Sequence, residues 1–213
     1  MILYRPTDGD VLTTTLNLRP RTCFLMTQLG TPVDPEITKI QQNIERQLSR
    51  KKIACIDADS VTTGNDFLDK IWRLIASVPI GVAIIHEEMS QKTVANIFYE
   101  LGMMDSLGKQ TIVVKSPGAA LPSDFVRTEY IPSDGDFTRR FGSFLDSTLA
   151  LEGYFETLAD ELEKNPLLSI DYLRRAYLVG GDKRHSTRSQ EILDGAEIHG
   201  RAKNSVEMLL ARF

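Results

Sequence analysis

The stretch with the clearest chemical content reads Asn-Ile-Phe-Tyr-Glu-Leu-Gly over residues 96–102. Helical spacing predicts that its carboxylate, Glu100, lies one to two turns inside a helix, with Asn96 four residues earlier on the same face. The apolar residues around Glu100 predict a partly desolvated carboxyl group, which is typical of a group that works in catalysis. A second interpretation stays equally open, in which Glu100 binds a nearby backbone N–H group or an arginine. Tyr99 could stack on a planar ring, or pack against a sheet with its hydroxyl in water.

Other polar residues with chemical potential follow short apolar runs that are typical of strands. They are, in chain order, Thr27, Gln28, Gly30, Asp57, Asp59 and His86. Free N–H groups in the first loop would bind phosphate or ribose, although a turn with Gly30 at positive φ explains that loop equally well. The two aspartates could accept hydrogen bonds from ribose hydroxyls or protonate a leaving base. His86 could transfer protons, or serve as a hydrogen-bonded wall residue.

The elements that carry these residues give them a common location. From residue 21 to about residue 148, short apolar runs alternate with segments of helical period, which is typical of a parallel sheet flanked by helices. The predicted strands cover residues 23–26, 53–56, 80–85, 111–114 and 128–131. The third is continuously apolar and should be buried on both faces. Right-handed crossovers then predict a flavodoxin-like three-layer α/β fold in strand order 2-1-3-4-5, with a ligand crevice outside the carboxyl ends of the strands.

Capping residues mark the helices between these strands. Asp34 followed by Pro35 predicts the start of the first helix, and Gly108 predicts the end of the helix that carries Glu100. Beyond residue 150 the pattern is helical, with helices predicted over residues 151–162, 170–178 and 187–212. We therefore predict an N-terminal arm or hairpin over residues 1–20, an α/β domain over residues 21–150 and a helical tail over residues 151–213. The tail is interpreted as a packing or oligomerisation element in preference to a binding module.

The composition is that of an ordinary globular protein of 213 residues, 42% hydrophobic and 25% charged, with a formal net charge of −4. The acidic balance, without a lysine or arginine run, argues against a general binder of nucleic acids or membrane surfaces. The apolar runs are too short to span a bilayer, and residues 1–18 lack the apolar core of a secretory signal, so a cytoplasmic protein is expected. Cys23 and Cys55 are interpreted as reduced packing residues, and no metal site is expected.

Several of these segments together resemble one family. The motif over residues 96–102, the Gly108-Lys109 pair before an apolar strand and the segment over residues 121–130 look like those of TIR-like and nucleoside 2-deoxyribosyltransferase-like proteins. The resemblance covers approximately residues 21–131. The chain departs from the family at residues 26–30, where related proteins often carry a proline-phenylalanine pair, and at His86-Glu87, where aspartate is usual.

The resemblance implies that the chain takes a nucleotide such as NAD, or a nucleoside, as substrate and cleaves or exchanges its N-glycosidic bond, with the family's catalytic glutamate falling on Glu100. Breaking that bond develops positive charge on the sugar, so a carboxylate can stabilise the ribosyl cation or attack it. The resemblance also implies a homo-oligomer and a role in a bacterial immune or antiviral system. We expect no cofactor or metal besides the nucleotide substrate. The alternative is a non-catalytic nucleotide-sensing or scaffolding module that signals through oligomerisation.

Overall fold

The computed structural model describes Gly9 and residues 15–59, 67–121, 129–197 and 199–210. Most of the predicted N-terminal arm or hairpin lies outside the described residues. The described chain forms, in order, β1 (Thr22–Met26), α1 (Pro35–Arg50), β2 (Ala54–Ile56), α2 (Phe67–Ser77), β3 (Ile80–Ile85), α3 (Gln91–Ser106), β4 (Gln110–Lys115), β5 (Tyr130–Pro132), α4 (Phe137–Glu161), α5 (Pro166–Gly180), α6 (Arg184–Gly195) and α7 (Gly200–Leu210). None of these described helices is both long and apolar enough to cross a membrane.

The strands form one parallel sheet in the order β2-β1-β3-β4-β5, which confirms the predicted fold class and strand order. β3 lies at the centre, and all six of its residues are buried, as its continuous apolar sequence predicts. α1 contacts β2 and β3, and α3 contacts β1, β3 and β4. Because the strands are parallel, their carboxyl ends share one edge of the sheet, here called the carboxyl edge.

Capping residues mark the ends of the helices that contact the sheet, and Asp34 and Gly108 are where the sequence predicts them. The side chain of Asp34 accepts a hydrogen bond from a first-turn N–H group at 2.8 Å, and Pro35 is the first residue of α1. Ser90 caps α3 in the same way, at 3.1 Å. Gly108, with φ of +65°, follows the end of α3. These caps fix where α1 and α3 start relative to the carboxyl edge.

The chain divides into two compact units. The sheet unit comprises Thr22–Gly64 and Ile80–Ser147, and it contains the sheet, α1, α3 and the first part of α4. The helical unit comprises Met1–Arg21, Asn65–Pro79 and Thr148–Phe213, and it contains α2, the rest of α4, α5, α6 and α7. α4 is one continuous helix of 25 residues, so the predicted tail begins inside it.

The helical unit has apolar clusters of its own. Phe155, Ala176 and Val179 form one cluster, in which residues of α4 and α5 pack together. A second cluster draws on α5, α6 and α7 and contains Ile170, Leu193, Val206 and Leu210. These contacts give the later helices a packed interior within their own unit.

One prediction for the helical unit is wrong. The single final helix expected over residues 187–212 is two helices, because α6 ends at Gly195 and α7 begins at Gly200. Gly200 has a φ of +64°, and Ala196 is extended. Two glycines five residues apart weaken a helix and permit the left-handed conformation that separates α6 from α7.

Candidate functional site

Three buried polar side chains directly follow neighbouring strands at the carboxyl edge: Thr27 after β1, His86 after β3 and Ser116 after β4. These residues are 9%, 7% and 3% exposed, respectively. Ile85 pairs with Lys115 at the ends of β3 and β4, so His86 and Ser116 come next to each other on adjacent strands. Buried polar groups cost free energy unless they are hydrogen-bonded, so their partners indicate what the edge can bind.

The loop after β1 contains one polar atom without a partner. In the described structure, Oγ1 of Thr27 is buried and has no hydrogen-bond partner. The next residue, Gln28, uses its side-chain amide locally, because Nε2 donates to the carbonyl of Pro32 at 3.1 Å. Gly30 has a φ of +82°, in agreement with the turn interpretation. Of the three predicted ligands in this loop, Thr27 is thus the one whose polar side chain has no partner in the described part of the chain.

His86 is a hydrogen-bonded wall residue. Its Nδ1 accepts a hydrogen bond from the backbone N–H of Glu88 at 3.2 Å, which leaves the proton of the neutral ring on Nε2. That Nε2 lies 3.8 Å from Oε2 of Glu87. Both ring nitrogens therefore face groups of the protein, and the ring is oriented toward the Glu87 carboxylate.

Glu87 is a carboxylate that sequence reasoning did not select. Its Oε2 accepts a hydrogen bond from Oγ of Ser116, and this bond is the main cause that holds the pKa of Glu87 below its usual value. The side chain of Glu87 is 42% exposed. Its position directly after a buried strand could have identified it, but the contact with Ser116 joins two loops and has no signature in the sequence. The carboxyl edge therefore presents an ionised, oriented carboxylate.

The level of Glu100 along the sheet follows from the contact that Met104, one helical turn later in α3, makes with β3. A Cβ placed on Gly81 of β3 would collide with Sδ of Met104, so α3 packs closely over β3 at this point. Glu100 lies four residues, or about 6 Å, closer to the carboxyl edge than Met104. A strand rises about 3.3 Å per residue, which puts Glu100 near the level of Ala83, two residues before the end of β3.

Glu100 lies deeper in α3 than predicted. The helix begins at Gln91, nine residues earlier, so Glu100 is two and a half turns from the start and not one to two. Side chains of a helix lean toward its N-terminus, and α3 starts after the carboxyl end of β3. The carboxyl group of Glu100 is therefore directed toward the carboxyl edge in spite of its depth.

The carboxyl group of Glu100 is isolated. Its residue is half-buried, and desolvation raises its pKa from 4.5 to about 7. Within the described ranges it makes no hydrogen bond and no ion pair. The interpretation in which Glu100 binds an arginine or a backbone N–H group therefore finds no partner in the described part of the chain.

The two other predicted residues of α3 are exposed. The buried face of the helix is formed by Ile97, Leu101 and Met104. Tyr99 projects from the opposite side of the helix, because successive residues are about 100° apart, and it is 52% exposed. It does not pack against the sheet. Asn96 lies one turn from Glu100 and is exposed toward the start of the helix.

Asp57 and Asp59 lie to one side of His86, Glu87 and Ser116 at the carboxyl edge. Both follow β2, which is the outer strand of the sheet next to β1. Asp57 is half-buried and Asp59 is exposed. Because neighbouring strands are about 4.8 Å apart, roughly 10 Å separates β2 from β3. The structure thus brings His86, Glu87 and Ser116 together, with Thr27 on the next strand and the two aspartates beyond it.

A cavity of about 130 Å³ lies elsewhere in the sheet unit, between α1 and the start of α4. Its polar lining includes Lys39, Asn43, Asp134 and Thr138, and it contains none of the predicted site residues. Pockets for nucleotide-sized ligands usually measure about 300–1,000 Å³, so this cavity is too small for one. Across the described stretches, no three residues among histidine, cysteine, aspartate and glutamate gather in a metal-binding arrangement.

Two comparisons of the sequence with known proteins find no match. The chain matches no model of a known protein family, and no curated protein sequence matches it. The function proposed for this chain therefore depends on its own residues.

Proposed function

We propose that this chain cleaves the N-glycosidic bond of a nucleotide or nucleoside, with the Glu100 carboxylate stabilising the ribosyl cation or attacking it. The observation that carries the proposal is the half-buried carboxyl group of Glu100, which has no hydrogen-bond or ion-pair partner among the described residues. Cleavage of the bond develops positive charge on the sugar, and a carboxylate in partly desolvated surroundings stabilises such charge more strongly than one in water.

The surroundings of Glu100 support a nucleotide substrate. Ligands of open parallel sheets bind outside the carboxyl ends of the strands, and Glu100 leans toward that edge. The edge also carries the unsatisfied hydroxyl of Thr27 and the oriented carboxylate of Glu87. The likeness of residues 96–102 to TIR-like and nucleoside 2-deoxyribosyltransferase-like proteins favours NAD or a nucleoside within this class.

The pKa of Glu100 gives the proposed reaction a defined pH dependence. With a pKa of about 7, the carboxyl group is about half ionised at neutral pH. Both roles proposed for Glu100 need the ionised form, so the cleavage rate should rise as pH increases through about 7. Nicotinamide leaves NAD as a neutral molecule and needs no proton donor, so NAD tests Glu100 alone.

The test is incubation of the chain with NAD and with 2′-deoxyadenosine, followed by chromatography of the released base. Glu100→Gln should reduce the cleavage rate at least about 100-fold, because it removes the charge and retains the shape. Glu163→Gln makes the same chemical change at an exposed position of the helical unit and serves as the matched control. Undiminished cleavage by the Glu100→Gln variant, or no cleavage of either compound by the parent, would reject the proposal.

The same experiment separates the alternative function. A parent chain that binds these compounds without releasing the base would contradict catalysis and support a nucleotide-sensing or scaffolding module. Light scattering with and without the nucleotide would then test the homo-oligomer that this module requires. If the chain is an enzyme, we expect it to release the base whatever its oligomeric state.

A further inference from the structure

The loop after β3 holds an oriented carboxylate to which the proposed reaction gives no role. Oε2 of Glu87 accepts a hydrogen bond from Oγ of Ser116 and lies 3.8 Å from Nε2 of His86. The backbone N–H of Glu87 and the charge of Lys115 also favour the ionised carboxylate. The other oxygen, Oε1, lies over Gly118, where an added Cβ would come within 2.9 Å of it. One oxygen is thus fixed by the protein, and the other lies above a residue without a side chain.

This arrangement uses two buried residues to orient one exposed group. Ser116 is 3% exposed and the side chain of His86 is 8% exposed, while the side chain of Glu87 is 42% exposed. An exposed glutamate without such contacts samples many rotamers, and orienting it costs conformational entropy. A carboxylate that is held in place before a ligand arrives avoids that cost at the moment of binding.

The chemistry of Glu87 defines the group it can bind. An ionised carboxylate only accepts hydrogen bonds, so its ligand must supply an O–H or N–H donor, and it repels phosphate. In dinucleotide-binding parallel sheets, an acidic residue about 20 residues after the glycine-rich first turn binds a ribose hydroxyl, which shows that a carboxylate at this end of a sheet can recognise a sugar. The unsatisfied hydroxyl of Thr27 follows the adjacent strand, which adds a second polar group for a sugar at this edge.

We propose that Oε1 of Glu87 accepts a hydrogen bond from a ribose hydroxyl of the nucleotide, so that the site selects ribosyl over 2- or 3-deoxyribosyl compounds. This inference depends on the proposed function for the identity of the ligand class. It adds a sugar-recognition residue and a substrate preference that Glu100 does not supply.

The test measures dissociation constants by calorimetry for adenosine, 2′-deoxyadenosine and 3′-deoxyadenosine, using the Glu100→Gln chain so that nothing is cleaved. Adenosine should bind at least about 10-fold more tightly than the analogue that lacks the contacted hydroxyl, as is typical of a hydrogen bond to a charged group. Adding Glu87→Gln should weaken adenosine binding about 10-fold, leave that analogue unchanged and remove the preference. Glu88→Gln changes a neighbouring exposed carboxylate and should keep the preference.

Several outcomes would overturn the inference. They are equal binding of all three nucleosides, absence of binding, or a preference that survives Glu87→Gln. If Glu87→Gln changes discrimination between adenosine and inosine but not the ribose preference, Glu87 contacts the base and the ribose assignment is wrong.

The two proposals fail separately. A Glu87-dependent ribose preference in a chain that cleaves nothing rejects the reaction alone. Cleavage by the parent without any ribose preference rejects the role of Glu87 alone.

Discussion

Each of the two units contains a carboxyl group that is largely removed from water, and among the described residues only the one in the helical unit has charged partners. In the helical unit, Asp171 and Arg174 are both buried, and Nη2 of Arg174 donates to Oδ1 of Asp171 at 3.1 Å. Nε of Arg175 donates to the other oxygen of Asp171, also at 3.1 Å. In the sheet unit, the half-buried carboxyl of Glu100 has no such partner among the described residues.

The pKa directions express the same contrast. Burial would raise the pKa of Asp171, but Arg174 and Arg175 hold it below its ordinary value. Burial raises the pKa of Glu100 to about 7 with no opposing charge. A paired buried carboxylate thus stays ionised as part of the fold, while ionisation of an isolated one lowers the stability of the folded chain. Within the described part of the helical unit, Nε of Arg174 is buried and has no hydrogen-bond partner, so this pair is not fully satisfied.

The largest expected effect comes from breaking the paired group. Asp171→Ala leaves Arg174 buried without its carboxylate and should lower the free energy of unfolding by about 3–5 kcal/mol at pH 7. Urea denaturation followed by circular dichroism measures the loss. The double variant Asp171→Leu/Arg174→Met removes both charges and should recover most of it. A loss below about 1 kcal/mol would mean that the pair does not stabilise the helical unit.

The isolated carboxyl group of Glu100 should make the stability of the folded chain fall as pH rises. Protonation of Glu100 is easier in the folded chain than in the unfolded chain, where the pKa is near 4.5. The loss of unfolding free energy caused by ionising Glu100 is therefore absent below pH 4.5, grows as pH rises and is complete above about pH 7. Relative to the Glu100→Gln variant, the free energy of unfolding of the parent should fall by on the order of 2–3 kcal/mol between pH 4.5 and 7.

Unfolding free energies of the parent and Glu100→Gln at several pH values measure this difference. Glu163→Gln, an exposed position, should show no comparable trend. A constant difference between parent and Glu100→Gln from pH 4.5 to 7 would show that Glu100 is solvated or paired in the folded protein.

The contrast between the units also explains what the sequence could predict. The order of the sheet follows from apolar runs and crossover handedness. The bounds of β3 are predicted to the residue, and those of the other strands to within one or two residues. Asp34 and Gly108 mark helix ends through local chemistry that a sequence displays directly. Glu100 could be selected because its apolar neighbours are at helical spacing.

Other features depend on contacts between distant residues and could not be read from the pattern. The period of α2 indicates that one face is buried, but not that α2 belongs with the later helices in the helical unit. Glu87 and Ser116 are 29 residues apart, and only the pairing of β3 with β4 brings them together. The depth of Glu100 depends on the close packing of α3 over Gly81, which periodicity does not specify.

A smaller effect is expected from disturbing the packing that positions Glu100. Gly81→Ala would place a methyl group 2.8 Å from Cε of Met104 and 3.1 Å from Cε of Met26, and should cost about 1–3 kcal/mol. It should also slow the proposed cleavage, because displacement of Met104 shifts α3 and Glu100 with it. Gly102→Ala, in α3 with open space around it, should stabilise the chain by up to about 1 kcal/mol. Equal stabilities of the two variants would contradict the close approach of α3 to β3.

The smallest effect on stability is expected at Gly118, next to Glu87. Gly118→Ala should change the free energy of unfolding by no more than about 0.5 kcal/mol, because the nearest atom is Oε1, at the exposed end of the Glu87 side chain, which needs to move by only a few tenths of an ångström. The methyl group nevertheless displaces Oε1 of Glu87, so the preference for adenosine over its deoxy analogue should fall, by about threefold or more for a weakened hydrogen bond. Gly135→Ala, in a loop with open space, should change neither quantity. If the preference for adenosine over its deoxy analogue is unchanged in Gly118→Ala, Glu87 does not bind the sugar, because Oε1 is the oxygen proposed to accept the hydrogen bond from the ribose hydroxyl.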